Sequence, residues 1–332
     1  MEENRADASL IIGIGSGVIQ DLCKYVSKTS GVPYMVVATA PSMDGYASPG
    51  AAMILRGMKE TVSAGLPRAI VADVDVLCQA PMDMIRAGFG DIIGKYSSLC
   101  DWKLAHAVNN EKLCPYVYRF TYEMIERVKE KAAGLILRDG DSIAALFEAL
   151  IVVGILMSFV GNSRPASGSE HHLSHFFEIS GIVMDLPYLT HGIDVAYSTV
   201  ITARIREKLC ALPFPHRRFR EDTEKIKEKL TAVYGDKVTE GCLALQKKVG
   251  AYERNLLPVY LEKEAEVKGI LSEMPGASEI ETILFSVGLD VKEFFELYSE
   301  DRIEAAIRHA KDLKDRYTVL WLYYDLFGEE KI

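Results

Sequence analysis

Apolar and polar positions divide the chain into two regimes. Through residues 1–80, short β-branched runs alternate with glycine and proline, and the runs at 9–13, 34–40, 52–55 and 69–74 predict strands, with a helix over 18–29 between the first two. From about Pro81 onward apolar residues recur at helical spacing, which predicts long helices over 82–108, 116–133, 141–160, 191–209 and 218–234 and shorter ones as far as Leu326. The expected fold is an α/β unit over 1–80 followed by an all-helical unit over 81–332.

Composition narrows the class without changing that picture. A chain of 332 residues buries a sizeable core without needing a disulfide or metal staple to fold. With 49% hydrophobic and 26% charged residues, and only 12 prolines and 25 glycines, it is neither disordered nor fibrous. Thirty-eight Lys and Arg against 47 Asp and Glu leave a net charge of −9. That balance repels nucleic-acid backbones and anionic membranes, and no sizeable basic patch offsets it, so no nucleic-acid partner is expected. The longest apolar run, 149–160, is shorter than the roughly 20 residues needed to cross a bilayer and predicts a buried helix, not membrane insertion. The first ten residues are acidic and polar, so no signal peptide is expected. Six scattered cysteines with no CxxC pair predict reduced thiols in a cytoplasmic protein.

Two loops carry candidate ligand chemistry. Gly13-Ile14-Gly15-Ser16-Gly17 follows an apolar strand and opens a helix, the context in which glycines let a phosphate approach the backbone at a helix N-terminus. The spacing departs from G-x-G-x-x-G, and no acid ends the next strand to hold a ribose, so the segment fits an ordinary tight turn equally well. Asp21, one turn into the helix, suits either a ligand contact or the helix dipole. The second loop, 39–48, holds Thr39, Ser42, Asp44 and Ser48 at the C-terminal end of the next strand, where ligands of open α/β sheets bind; the same residues are common turn formers. A doubly wound nucleotide domain needs two βαβαβ halves, yet here helices take over after about 80 residues. Either this domain is half-sized or the chain begins inside one, so 1–80 reads as a partial dinucleotide-binding domain and 81–332 as a metal- and substrate-binding domain.

Four of the seven histidines fall between 171 and 191. His171 and His175 lie one turn apart on one helical face, with His172 about 100° round, and His191 starts the next long helix. Two imidazoles from separate helices need a third ligand, and a carboxylate is the usual complement for a divalent borderline metal with an open position for substrate. Asp91 is the candidate, because it sits in an apolar, small-residue helical stretch where a carboxylate is costly to bury without a counter-ion. The alternative is that Asp91 caps a helix after Gly90 and the histidines are core or surface groups. His106, His216 and His309 are left to packing or the surface.

The stretch Ser163-Arg164-Pro165-Ala166-Ser167-Gly168-Ser169-Glu170-His171-His172-Leu173-Ser174-His175-Phe176 resembles the signature of the sn-glycerol-1-phosphate dehydrogenases, in particular the bacterial AraM-like branch. These belong with glycerol dehydrogenase and dehydroquinate synthase to the iron-type alcohol dehydrogenase-like superfamily. Residues 39–48, 88–95 and 316–320 extend the resemblance over nearly the whole chain. It implies a metal-dependent interconversion of dihydroxyacetone phosphate and sn-glycerol 1-phosphate with NAD or NADP, a zinc or nickel ion, a small phosphorylated substrate and a homo-oligomer. It implies Asp91, His171 and His191 as metal ligands, with Asp91 also against the substrate, and His175 and Asp44 as substrate contacts. Gly15, Gly17 and Asp21 fall in the pyrophosphate-binding segment, while Thr39, Ser42 and Ser48 correspond to nicotinamide-side contacts. His172 corresponds to no ligand. His171-x-x-x-His175-x-x-Glu178 also resembles dehydroquinate synthase, whose first metal ligand is a glutamate where this chain has Asp91.

Relatives carry roughly eighty further residues before the glycine turn, so the first strand is expected to present an unpaired edge. Two alternatives to that activity stand beside it: a non-catalytic, truncated metal-binding paralogue, and another superfamily member such as glycerol dehydrogenase.

Overall fold

The computed structural model describes residues 8–55, 58–328 and 330–331, so most of the acidic N-terminal decapeptide lies outside the described residues. Three parallel strands, β1 (Ile11–Gly15), β2 (Tyr34–Ala38) and β5 (Ile70–Ala72), form a sheet in the order β1-β2-β5, and β3 (Gly50–Leu55) with β4 (Met58–Ser63) forms a separate antiparallel hairpin. Helix α1 (Gly17–Ser30) joins β1 to β2, ending on Gly31 in the left-handed region, φ 73°. After β5 every described element is helical: α2 (Val74–Cys78), α3 (Met82–Asn109), α4 (Pro115–Glu130), α5 (Ala132–Ile136), α6 (Gly140–Val160), α7 (Ser169–Met184), α8 (His191–Ala211) and α9 (Thr223–Lys248). Six shorter helices follow: α10 (Leu257–Glu262), α11 (Glu264–Ser272), α12 (Ala277–Phe285), α13 (Lys292–Leu297), α14 (Glu300–His309) and α15 (Val319–Phe327).

The expected boundaries shift where hydrogen bonding, not hydrophobicity, decides them. β1 starts at Ile11, whose amide donates to the Pro33 carbonyl, and its register with β2 runs from Ile11 opposite Tyr34 to Gly15 opposite Ala38. It is an edge strand, and Ile12 and Ile14 are exposed. The run at 52–55 belongs to the β3–β4 hairpin, which among the described residues pairs with no other strand. The stretch 58–63 was not expected as a strand, since Lys59 and Glu60 interrupt the apolar pattern. Helix α9 starts at 223 instead of 218 because Asp222 caps it, accepting from the Glu224 amide at 2.8 Å, and it continues past 234 across a break at Gly235, φ 71°. The apolar run at 149–160 is part of a helix of 21 residues, long and apolar enough by length and composition to cross a membrane; 56% of its most apolar window is buried inside the protein.

Helices α3 and α8 form the centre of the fold, and glycine sets how closely they approach. A Cβ on Gly90 would come within 2.5 Å of the Gly192 carbonyl oxygen, and one on Gly192 would overlap the Ala87 carbonyl. Contact at backbone distance between two helices places the residues next to those glycines, Asp91 and His191, side by side. Gly88, on the side of α3 that carries Asp91, lets the Pro41 carbonyl approach the helix, which brings the 41–48 loop to Asp91.

Candidate metal and substrate site

Asp91 on α3, His171 in the first turn of α7 and His191 at the start of α8 present ligand atoms that all lie within 4.8 Å of one another. Asp91 is 1% exposed and His171 6%, so the triad forms the floor of the site. The Asp91 Oδ1 atom is 3.6 Å from His171 Nε2, and the two imidazole centroids are 5.1 Å apart. His175 stands beside them, its ring 5.7 Å from that of His191 and inclined at 28°.

The triad is held by charges that the sequence reading did not single out. Lys95, fully buried one turn beyond Asp91, places its Nζ 2.6 Å from Asp91 Oδ1 and 2.7 Å from Asp44 Oδ2. Asp91 Oδ2 accepts the Asp44 amide at 3.0 Å. Burial alone would lower the Lys95 pKa, but the two carboxylates outweigh it and raise it, so the ammonium stays protonated. On the other side, fully buried Glu170 takes His171 Nδ1 at 2.7 Å through Oε1, which also accepts the Gly168 amide at 2.8 Å. A ring that donates from Nδ1 to a carboxylate keeps Nε2 as an acceptor, and here Nε2 is the atom facing Asp91. Burial holds the His171 pKa well below 6.5, so the imidazole is neutral, as a metal ligand needs to be. One carboxylate and two imidazoles, one of them oriented by a buried acid, fit a divalent ion.

Burial raises the Glu170 carboxyl to about 7 from 4.5. The folded chain therefore holds this proton where the unfolded chain has lost it, and Glu170 subtracts stability as pH rises from 4.5 to about 7. Glu170→Gln is expected to remove that part of the pH dependence in urea unfolding. It should also weaken metal binding about 10- to 100-fold in chelator competition, because the ring loses its charged partner; unchanged affinity would show that Glu170 does not orient His171.

Above the triad opens a cleft of about 880 Å³ lined by His171, His175 and His191. Asp44, Ser42 and Ser48 line it from the second loop, and Gly17 and Asp21 from the glycine turn and α1. Gly15 and Thr39 are not among its lining residues; the Thr39 amide donates to the Gly15 carbonyl at 3.3 Å, so these two tie the ends of β1 and β2 together behind the cleft. Ser48 also lies against buried Lys24, 3.3 Å from its Nζ, and Lys24 is 3.7 Å from Asp21 Oδ1 and donates to the Gly50 carbonyl at 2.9 Å. His172 is fully buried, with neither ring nitrogen hydrogen-bonded among the described residues, and is not among the lining residues.

A family model described as iron-containing alcohol dehydrogenase matches residues 1–81. The glycerol-1-phosphate dehydrogenase [NAD(P)+] of Geobacillus stearothermophilus is 31% identical over 329 residues, covering 99% of this chain and 74% of that protein. The chain belongs to the glycerol-1-phosphate dehydrogenase family. Proteins of the same name from Bacillus licheniformis and Geobacillus thermodenitrificans are 37% and 42% identical over 224 and 199 residues, 68% and 60% of this chain. The chain spans only about half the length of these two, 56% and 49%. Among solved structures, the iron-containing alcohol dehydrogenase from Thermococcus thioreducens superposes with a TM-score of 0.58 at 13% identity over 99% of this chain and 76% of that one. A 1,3-propanediol oxidoreductase gives 0.58 at 12% over 95% and 74%. At such identities the likeness shows the fold: a small α/β part followed by helices, as in the iron-containing alcohol dehydrogenases.

Proposed function

We propose that the chain is a metal-dependent, NAD(P)H-linked enzyme interconverting dihydroxyacetone phosphate and sn-glycerol 1-phosphate, with residues 1–80 serving the cofactor and 81–332 the metal and substrate. The observation that carries this reading is the convergence of Asp91, His171 and His191 beneath a cleft whose other side is the glycine turn at the head of α1. The proteins named glycerol-1-phosphate dehydrogenase [NAD(P)+] support the cofactor and the substrate.

Zinc or nickel is the proposed ion, held by Asp91, His171 and His191; bound there, it supplies a Lewis acid for the substrate oxygen. Lys95 bridges the Asp91 and Asp44 carboxylates and holds them together at the site. His175 lines the cleft one turn from His171, where it would hold or pass the proton of the substrate hydroxyl, a task suited to an imidazole. Gly17, with α1 beginning at it, offers the cofactor pyrophosphate a helix N-terminus, while Ser42 and Ser48 lie on the nicotinamide side. All six cysteines are free, which suits the reducing cytoplasm. Exposed Phe159 and Phe285 offer apolar surface for a homo-oligomer.

The test is NADH and NADPH oxidation by protein loaded with zinc or nickel, with dihydroxyacetone phosphate or unphosphorylated dihydroxyacetone as oxidant. Turnover that favours the phosphate ester is expected. Preference for dihydroxyacetone would move the chain to a glycerol dehydrogenase-like activity, and metal uptake with no turnover of either would make it a non-catalytic metal-binding relative.

A further inference from the structure

Two cations from the far end of the chain enter the same cleft. Lys314 and Arg316 both line it, although they precede α15, more than a hundred residues beyond α8. The chain bends through 314–316, and Lys314 and Arg316 reach the cleft while Asp315 between them is exposed. The segment is pinned from behind, with Gln246 Nε2 donating to the Lys314 carbonyl at 2.9 Å.

Arg316 is fixed by neutral partners. It donates to the Ser167 carbonyl at 2.8 Å and to Ser163 Oγ at 3.0 Å, and it makes no ion pair among the described residues. Its neighbour Arg164 differs: Arg164 is paired through both Nε and Nη2 with Glu111 and donates to the Tyr317 carbonyl, so its charge is already answered. A guanidinium oriented by neutral oxygens at the wall of a cleft is built to receive an anion. Burial, then the charge of Arg164, holds Arg316 down at about 10, an imbalance that an anion would relieve. Both cations line the cleft together with His171, His175 and His191, so an anion held by them lies in the same cleft as the metal-ligating end.

We propose that Arg316 and Lys314 form the subsite for a phosphate monoester, the terminal phosphate of the substrate, beside the Asp91–His171–His191 triad. The inference rests on the functional reading above and adds to it the residues that tell a phosphorylated substrate from a plain polyol. The turn at 163–167 contributes as well: Ser163 lines the cleft, and the Ser167 amide donates to the Ser163 carbonyl at 2.8 Å, holding the hydroxyl in place beside Arg316. Substrate phosphate and cofactor phosphate share this chemistry. The substrate is the assignment because α1 offers the cofactor its own anion site at Gly17.

The experiment measures binding of sn-glycerol 1-phosphate, glycerol, inorganic phosphate and NADPH by calorimetry on the zinc-loaded protein, with Arg316→Ala, Arg316→Lys and Lys314→Ala as variants. The unaltered protein should bind sn-glycerol 1-phosphate at least tenfold more tightly than glycerol. Arg316→Ala and Lys314→Ala should each weaken the phosphate ester and inorganic phosphate by about 10- to 100-fold, with glycerol, NADPH and metal content unchanged. Arg316→Lys keeps the charge and should fall between, which separates lost recognition from a disturbed fold. Variants that weaken NADPH and spare sn-glycerol 1-phosphate would make this a cofactor subsite and overturn the proposal. Variants that spare every ligand would overturn it too. If the unaltered protein itself does not prefer the phosphate ester, the functional reading falls along with the subsite.

Discussion

Lys95→Met should destabilise the metal-free protein by about 3–5 kcal/mol, the penalty for stripping one partner from a buried ion pair. The lysine side chain is 0% exposed and answers two carboxylates, Asp91 at 1% and Asp44 at 15% exposure. Methionine fills most of the volume, so the loss measures charge and not packing. Two carboxylates are then left facing each other at the floor of the cleft without the cation between them. A divalent ion on Asp91 would replace the missing positive charge, so the gap between variant and unaltered protein should narrow when zinc is added. Thermal unfolding of both proteins, in EDTA and in excess zinc, reads both parts. Equal melting temperatures in EDTA would show that Lys95 stabilises nothing. A gap that zinc leaves unchanged would show that the ion does not sit on Asp91. Lys95→Arg should rescue poorly, since the larger planar guanidinium has no room in a fully enclosed position.

How much of this was readable in advance depends on whether the signal is local. The expected helix over 82–108 ends within one residue of the observed Met82–Asn109, because its pattern is long and strongly apolar. The convergence of Asp91, His171 and His191 was legible for local reasons: an acid is conspicuous inside 88–95, and histidines at 171, 175 and 191 are conspicuous anywhere. Lys95 and Glu170 carried a signal that went unused. Each is a charged residue in a stretch of apolar and small neighbours, one at i+4 from Asp91 and one adjoining His171, the spacing at which a charge can answer an acid or orient a ring. Arg316 lies in the 316–320 stretch that carried the resemblance, but no local pattern marked it or Lys314 as facing the cleft, because their place there follows from how the end of the chain packs against α7 and α8. Gly15 and Thr39 lie outside the cleft lining. Both have residue types suited to a ligand, yet they bond to each other behind the cleft, and a strand end that needs closing draws on the same small polar residues as a ligand loop.

His191→Ala should lower metal affinity by roughly 10²- to 10⁴-fold, since one ligand in three carries on the order of a third of a binding free energy of about 10–16 kcal/mol. Asp91, Lys95 and His171 stay where α3 and α7 hold them, so the fold should survive and the loss should appear in chelator competition or in metal retained after dialysis. His175→Ala is the control. Its ring is as near to His191 as a ligand's ring would be, with centroids 5.7 Å apart against 5.1 Å for His171 and His191. Proximity of rings does not make it a ligand, however: the donor atoms that come within 4.8 Å of one another belong to Asp91, His171 and His191. His175→Ala should therefore keep its metal and lose turnover, by about 10²- to 10⁴-fold if it moves a proton. Metal loss as large in His175→Ala as in His191→Ala would mean that the ion is held from the other side of the α7 face, and the open position for substrate would have to be sought between Asp44 and Asp91.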